Sequence, residues 1–535
     1  MRFVLGIVLL VINGATLSLV KDGAVLSEGY KPLTKEQKTN PKLRLSDTLK
    51  QEKLGFLGST LGSNMVLQRD QETRIWGFTR SGATIVTNFK EYTFLTKADK
   101  NGIWRQKLPA QPASLEPTNI AISASTGENA FLSNILFGDV YICGGQSNMQ
   151  FSIPATTNST AEALRANDYP HVRLFTVGQG TSSDTPLKDL QTIEQQWSVA
   201  NSATVSNDNG FGYFSAVCWF FGRTISEGLD NKVPLGLISS NWGGTSVEQW
   251  STNEALYECN RTNEKQGNLY NSMIHPYTIG PMALTGFAWY QGEANVKSRA
   301  SANDYACLFS AMIKAWRKAF QSAHDAYFGF VQLSTWCLSD PMAIPEMREA
   351  QMAALVRVPG KIGYATNADY GAGCDIHPPT KQPCGIRLGN SALALQYNRT
   401  DIKWRSPSYI SANATMMGIA ARVVVDLADV GDNGLLITYP HNHLDGTFNC
   451  TAQEPRTCAW ASVRLTKEGW VNATVTISEG RRMVLIAAVT QPGQNVIGSA
   501  YGWGSVPMLN VYDARTDLPV LPWNRSLSVF TRESF

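Results

Sequence analysis

The sequence predicts an α/β protein: a layered domain with a central parallel sheet, flanked by N- and C-terminal antiparallel β modules. Three observations carry that reading. Between about Ile135 and Ser406, short aliphatic runs alternate with segments of helical period. On either side, strand-length runs are punctuated by Gly, Asp and Asn without intervening helices. A chain of 535 residues also exceeds what one hydrophobic core usually organises.

Arg2, the ten-residue run "FVLGIVLLVI" and the small, polar "NGATLS" have the order of a secretory signal peptide over residues 1–18. Crossing a hydrocarbon core takes ~20 apolar residues, so no stable membrane anchor is expected. Residues 19–55 are polar and Lys-rich, a flexible solvated leader. "NMVLQRDQ", "TRIWGF", "ATIVTNF", "YTFLTKAD" and "GIWRQKL" make residues 56–132 an N-terminal β module. Over 133–405, "VYICGG", "VPLGLISS", "GFAWYQG", "YFGFVQL" and "KIGYATN" read as buried strands. "SAVCWFFGRTISEGL", "DYACLFSAMIKAWRKAF" and "PEMREAQMAALVRV" read as helices between them, an alternation that implies parallel strands with crossovers. Residues 406–535 return to strand runs such as "RVVVDLADV" and "NATVTIS", a C-terminal β module.

Composition narrows the function classes. The chain is 43% apolar and 17% charged with a net charge of +3, and its basic residues are dispersed, which argues against nucleic acid as a partner. Seven N-x-S/T sequons, at Asn158, Asn260, Asn398, Asn413, Asn449, Asn472 and Asn524, fit N-glycans on a protein of the secretory route, secreted or lysosomal. Nine cysteines agree with an oxidising compartment. Cys374/Cys384 and Cys450/Cys458 are the expected disulfides, Cys143 and Cys218 the expected buried thiols, and the odd count leaves at least one cysteine over.

The chemistry centres on "YICGGQSNMQF", where an aliphatic strand ends in two glycines and Ser147. Glycines let the backbone turn tightly and present a side chain at the rim of a sheet, so Ser147 is a candidate nucleophile. The elbow G-x-S-x-G is absent, which excludes the common α/β-hydrolase arrangement. Of six histidines, His171, His324, His441 and His443 sit in polar or β-module stretches, and His275 precedes a proline. His377 lies in "GCDIHPPTKQPCGIRLG" after a strand and before a helix starting near Gly385, with Asp375 two residues upstream. Positions i and i+2 of an extended segment face the same way, so Asp375 can orient His377 as a general base. A loop histidine with a chance acidic neighbour would look the same. Donors for an oxyanion are offered by Gly243-Gly244 in "ISSNWGGTSVEQW" and by Gln291 in "WYQGEAN", which also carries Glu293 and Asn295. No H-x-x-x-H or C-x-x-C cluster suggests a metal, and no cofactor is expected.

Ser, Gly-Gly, Gln and Asp-x-His, carried in that order at four strand ends, resemble the SGNH-hydrolase superfamily. Within it, "GDVYICGGQSNMQFSI", "VPLGLISSNWGGTSVEQW", "WYQGEAN", "MREAQ", "DIHPPTKQPCGIRLG" and "VPMLNVYDARTDLPVLPW" resemble the sialate O-acetylesterase family of carbohydrate esterases. The resemblance spans most of residues 56–530 and implies an SGNH-hydrolase-like fold for the central domain. It implies Ser147 as nucleophile, His377 as base and Asp375 as orienter. For the oxyanion it implies the Ser147 N–H, a glycine of the 243–244 pair and the Gln291 amide. The superfamily's usual spacing is Asp-x-x-His with Asn as third donor; here the residues are Asp375-Ile376-His377 and Gln291, and Asp369 is the second candidate for the acid. The implied substrate is a 9-O-acetylated sialic acid, whose carboxylate would pair with a cation such as Arg348 or Arg387. Asn148, Glu293 and Asn295 complete the substrate-binding candidates. Rival readings are an acetylesterase of plant or microbial polysaccharides such as acetylated xylan, a glycan-binding protein without catalysis, and a cysteine hydrolase using Cys143.

Overall fold

The computed structural model describes residues 52, 54–206, 210–261, 267–321, 326–443, 450 and 457–527. The expected signal peptide, most of the leader, His324 and the sequon asparagine Asn449 lie outside the described residues.

The N-terminal region contains β1 (Val66–Gln68), β2 (Thr73–Phe78), β3 (Thr84–Phe89), β4 (Tyr92–Lys97), β5 (Ile103–Leu108) and β6 (Ser114–Ala124). β2 pairs with β5, and β3 with β4 and β6, all antiparallel. The long β7 (Asn129–Gly145) then joins two regions. Its first part pairs antiparallel with β6 and parallel with β1, and its last part becomes a central strand of the next sheet.

That sheet adds β8 (Val172–Val177), β9 (Ile193–Val199), β10 (Leu235–Asn241), β11 (Gly286–Tyr290), β12 (Tyr327–Gln332) and β13 (Ile362–Thr366), in the order β13-β12-β11-β7-β10-β8-β9. All pairs are parallel except β8–β9. The sheet is therefore mixed where a parallel one was expected. The segment joining β8 to β9 contains no helix to carry a crossover, so β9 returns antiparallel at the edge. β8 and β10 to β13 are buried along their whole length because helices cover both faces. On one face lie helices Ala216–Gly228 and Gln382–Gln396, reached by Tyr141 against Phe221 and by the Tyr327 hydroxyl against Ser391. These two helices pack closely: a Cβ at Gly385 would fall 2.4 Å from Phe220 Cβ. On the other face helix Arg299–Ala319 sets Trp316 and Phe309 against Phe287 and Phe330. Helix Gln382–Gln396 begins three residues before the expected start, with a proline in its first turn.

Seven strands, from Ser408–Met417 to Trp523–Ser526, form a separate antiparallel sheet over a core that includes Val423, Val463, Leu485 and Trp523. Ala368, just beyond β13, belongs to that second core.

The disulfides correct two expectations. Cys374 bonds to Cys337, and Cys384 is the buried free thiol. Cys384 sits buried in the first turn of its helix, its Sγ donating to Lys381 O at 3.2 Å. Cys143 and Cys218 are a disulfide joining β7 to helix Ala216–Gly228. Cys450–Cys458 forms as expected, and Cys259–Cys307 is additional.

Candidate active site

The carboxyl ends of β7, β10, β11 and β13 gather at one edge of the sheet, where loops of parallel strands carry side chains out of the packed layer. β7 ends in Gly144-Gly145. At Gly145 φ is +144°, and a Cβ there would lie 2.1 Å from the Tyr290 carbonyl oxygen on β11, so glycine is required. The chain turns through Gln146 into the single helical turn Ser147–Gln150. The Gln146 backbone N–H donates to Tyr290 O at 3.0 Å. Its buried Oε1 accepts from the Ala294 N–H at 3.1 Å and from Gln291 Nε2 at 3.2 Å. Ser147 thus stands on a turn fixed largely by backbone. Its own N–H opens the helical turn and has no intrahelical partner.

His377 arrives from the loop after β13. Its Nε2 lies 2.8 Å from Ser147 Oγ across 230 residues of sequence. Side chains and one covalent bond hold this loop. The Cys337–Cys374 disulfide ties it to the segment after β12. Asn148 Nδ2 donates to Ile376 O at 2.9 Å and to Glu293 Oε1 at 2.5 Å, while Asn148 Oδ1 accepts from Lys381 Nζ at 2.5 Å. Lys381 is fully buried between the rings of Phe151 and Tyr290.

These surroundings set the electrostatics. Burial pulls the Lys381 ammonium down to about 8, although neighbouring anionic groups oppose it. Burial, and then the Lys381 cation, hold the His377 imidazole below its ordinary value; Asp375 pulls the other way. Burial pushes the Glu293 carboxyl up, against the Asn148 hydrogen bond and Lys381. Glu293 Oε2 is buried with no hydrogen-bond partner among the described residues.

Asp375 is exposed, and its Oδ1 accepts the backbone N–H of His377 at 2.9 Å; among the described residues no hydrogen bond joins it to the ring. The Gly243 N–H donates to Gln150 Oε1 at 2.8 Å, and Gly244 follows at φ +73°. Gln291 is fully buried: its Nε2 faces Asn295 Oδ1 at 2.8 Å and Thr245 O at 3.1 Å, and its Oε1 accepts from Tyr305. Asn295 in turn donates to Glu248 and accepts the Val247 N–H.

Neither arginine lines the cleft. Arg348 is buried and donates to the carbonyls of Leu333, Ser334, Gly504 and Ser505, joining helix Ala343–Met352 to the C-terminal module. Arg387 forms a two-pronged ion pair with Asp369, at 2.7 and 2.8 Å. Both arginines are corrected from substrate contacts to internal ties, because backbone and carboxylate oxygens already occupy their donors. Asp369 is likewise engaged by Arg387.

Sequence reasoning missed Lys381, Gln146 and Gln150. All three lie inside quoted motifs, but a lysine in a polar loop carries no mark of burial, and the two glutamines matter through partners far along the chain.

Ser147, His377, Gly243, Gly244, Glu293 and Trp336 line an open cleft of about 550 Å³. A hydroxyl and an imidazole in contact, with backbone N–H groups beside them, can perform acyl transfer.

Comparison with known proteins places these features in a family. The carbohydrate esterases described as sialic acid-specific acetylesterases match residues 137–366, a stretch that holds Ser147, Gly243 and Gln291 and ends before His377. Sialate O-acetylesterase of Rattus norvegicus is 31% identical over 427 residues, covering 66% of this chain and 76% of that protein. The Homo sapiens protein of the same name is 32% identical over 394 residues, covering 66% and 73%. A carbohydrate acetylesterase from Xanthomonas citri superposes with a TM-score of 0.72 at 28% identity, over 88% of this chain and 99% of that one.

Proposed function

Because this chain belongs to the sialate O-acetylesterase family, and is accordingly an esterase that removes O-acetyl groups from sugars, we propose that hydrolysis runs through an acetyl-serine at Ser147. The observation that carries the assignment is the 2.8 Å contact between Ser147 Oγ and His377 Nε2 at the floor of the cleft. His377 takes the hydroxyl proton as Ser147 attacks the acetyl carbonyl. The imidazolium then protonates the departing sugar oxygen, and water, activated by the same ring, releases acetate.

The Ser147 N–H and the Gly243 N–H are the donors to the oxyanion, with Gly244 giving the turn its shape. Gln150 must release the Gly243 N–H when substrate binds, since it accepts that donor here. Gln291 acts one step back, by holding Gln146 and Asn295. Asp375 steadies His377 through the backbone of their shared turn. Asn148 and Glu293 join the nucleophile turn to the base loop. This arrangement supports an SGNH-hydrolase-like catalytic region over 133–405, with β modules at 56–132 and 406–535. A secreted or lysosomal protein fits four disulfides and the absence, among the described residues, of any helix long and apolar enough to cross a membrane.

The preferred substrate in this reading is a 9-O-acetylated sialic acid. Acetate release from that sugar, measured beside acetylated xylan, tests it; faster turnover of xylan would transfer the assignment to polysaccharide esters. Ser147→Ala is expected to lower kcat by ~10⁴-fold or more with the fold intact. Unchanged hydrolysis in that variant would overturn the nucleophile.

A further inference from the structure

The C-terminal module holds a second concavity, of about 300 Å³, lined by Trp460, Trp470 and Trp503 with Met342 of the central region at its base. Trp460 is 44% exposed, so much of its indole surface is open to a partner of matching shape. Strand pairing explains what lies between the rings. Asn472 stands opposite Ser462, Ser462 opposite Ala500, and Ala500 opposite Asn524. This row crosses four strands, and all four of its residues line the concavity.

Both ends of the row are sequon asparagines, in Asn472-Ala473-Thr474 and Asn524-Arg525-Ser526. The two residues between them are small, which keeps the row open. Asn472 and Thr474 are exposed on one face of strand Gly469–Ser478, whereas Asn524 is half-buried. Trp470 precedes Asn472 by two residues on the same face, roughly 7 Å along the strand. Indole faces beside amide and hydroxyl groups match a pyranose ring, whose C–H face stacks on the aromatic while its edge makes hydrogen bonds.

We propose that Asn472 carries an N-linked glycan that folds back along this cleft, its first N-acetylglucosamine residues covering Trp470 and Trp460 and running toward Asn524. The bond formed joins Asn472 Nδ2 to C1 of the first sugar. The amide loses one proton, and the lipid diphosphate of the donor oligosaccharide departs from C1. An attached glycan is the occupant because acceptor asparagines stand at both ends of the concavity, so a free sugar would have to share the space with it. The inference is independent of the serine assignment.

The test uses the full chain secreted from animal cells, with Asn472→Gln and Thr474→Ala as two independent ways to remove the sequon. Asn524→Gln is the control, and esterase activity reports folding. Peptide mass spectrometry reads occupancy at residue 472 and the rate at which N-bromosuccinimide oxidises Trp460 and Trp470. Both sequon variants are expected to oxidise about fivefold faster than the unaltered protein, with the control unchanged, as befits loss of a stacked sugar face. An unmodified Asn472, or equal oxidation rates with and without the glycan, overturns the proposal. So does protection that follows Asn524.

Discussion

The turn that carries Ser147 and the loop that carries His377 meet at 2.8 Å, yet they are held by different physics. The serine turn is fixed largely by backbone: Gly145 passes so close to Tyr290 that no side chain fits, and Gln146 is bonded to β11 through its main chain and to the segment just after β11 through its side chain. The histidine loop is held by a disulfide, by Asn148 on Ile376 O and by the buried Lys381. Rigid sheet thus presents the nucleophile, and replaceable side chains bring the base to it. Damage on the serine side should therefore be abrupt, and damage on the histidine side graded.

Among changes that leave Ser147 and His377 themselves in place, the largest effect is expected from Gly145→Ala. A methyl group 2.1 Å from a backbone oxygen, at φ +144°, forces β7 from β11; such overpacking costs about 3 kcal/mol. Moving Ser147 by even ~1 Å is expected to lower kcat by about 10²-fold. Thermal unfolding and acetate release measure the two. A variant with normal activity would show that the turn tolerates movement and would erase the contrast.

Next comes the paired variant Cys337→Ala with Cys374→Ala. Removing a disulfide of this kind costs about 2–4 kcal/mol. The side-chain ties to Ile376 persist, so kcat is expected to fall only by about tenfold through looser positioning. A loss as large as that for Gly145→Ala would mean that the covalent tie alone sets the base.

Lys381→Met sharpens the comparison electrostatically. The imidazole of His377 must be neutral to accept a proton, so activity falls as pH drops through its pKa. Burial and the Lys381 cation lower that pKa, which keeps the base competent below ~6.5. Deleting the cation removes one lowering influence, and the acid limb of the kcat profile is expected to move to higher pH. The same change leaves Asn148 Oδ1 without its donor, at about 1–3 kcal/mol. An unmoved acid limb alongside reduced stability would restrict Lys381 to a packing role.

Strand ends and their residue types were legible because a buried parallel strand writes a continuous aliphatic run, and turn glycines mark where it stops. Ser147 could be singled out that way, His377 by its loop after a strand with Asp375 two residues upstream, and the C-terminal β module by strand runs without helical period. Pairings between distant side chains were not legible. Cys374 looks toward Cys384 in sequence but bonds Cys337, since helix Gln382–Gln396 turns Cys384 inward. Arg387 reads as a cation for a substrate carboxylate, yet Asp369 already neutralises it inside the protein. Lys381 reads as a solvated loop residue, and only its place against Asn148 and the rings of Phe151 and Tyr290 makes it buried. Edge strand β9 was hidden for a related reason: direction depends on whether the connection crosses the sheet, and residue pattern does not encode that.

The smallest effect is expected from Asp375→Asn, which separates two ways an acid can serve a histidine. A carboxylate bonded to the imidazole Nδ1 fixes the tautomer and stabilises the imidazolium, and its amide replacement then costs about 10⁴-fold. Asp375 is exposed, and its hydrogen bond runs to the backbone N–H of His377. An asparagine side-chain oxygen can accept that same N–H and keep the turn. The substitution therefore removes only a solvent-screened charge near the ring. About a threefold fall in kcat is expected, within the range of weak exposed electrostatics. With the raising influence of Asp375 gone, the acid limb is expected to move to lower pH, opposite to Lys381→Met. A loss of thousands-fold would instead require the carboxylate to swing onto Nδ1 when substrate binds, and the base loop would then owe its geometry to Asp375 and not to Asn148 and Lys381.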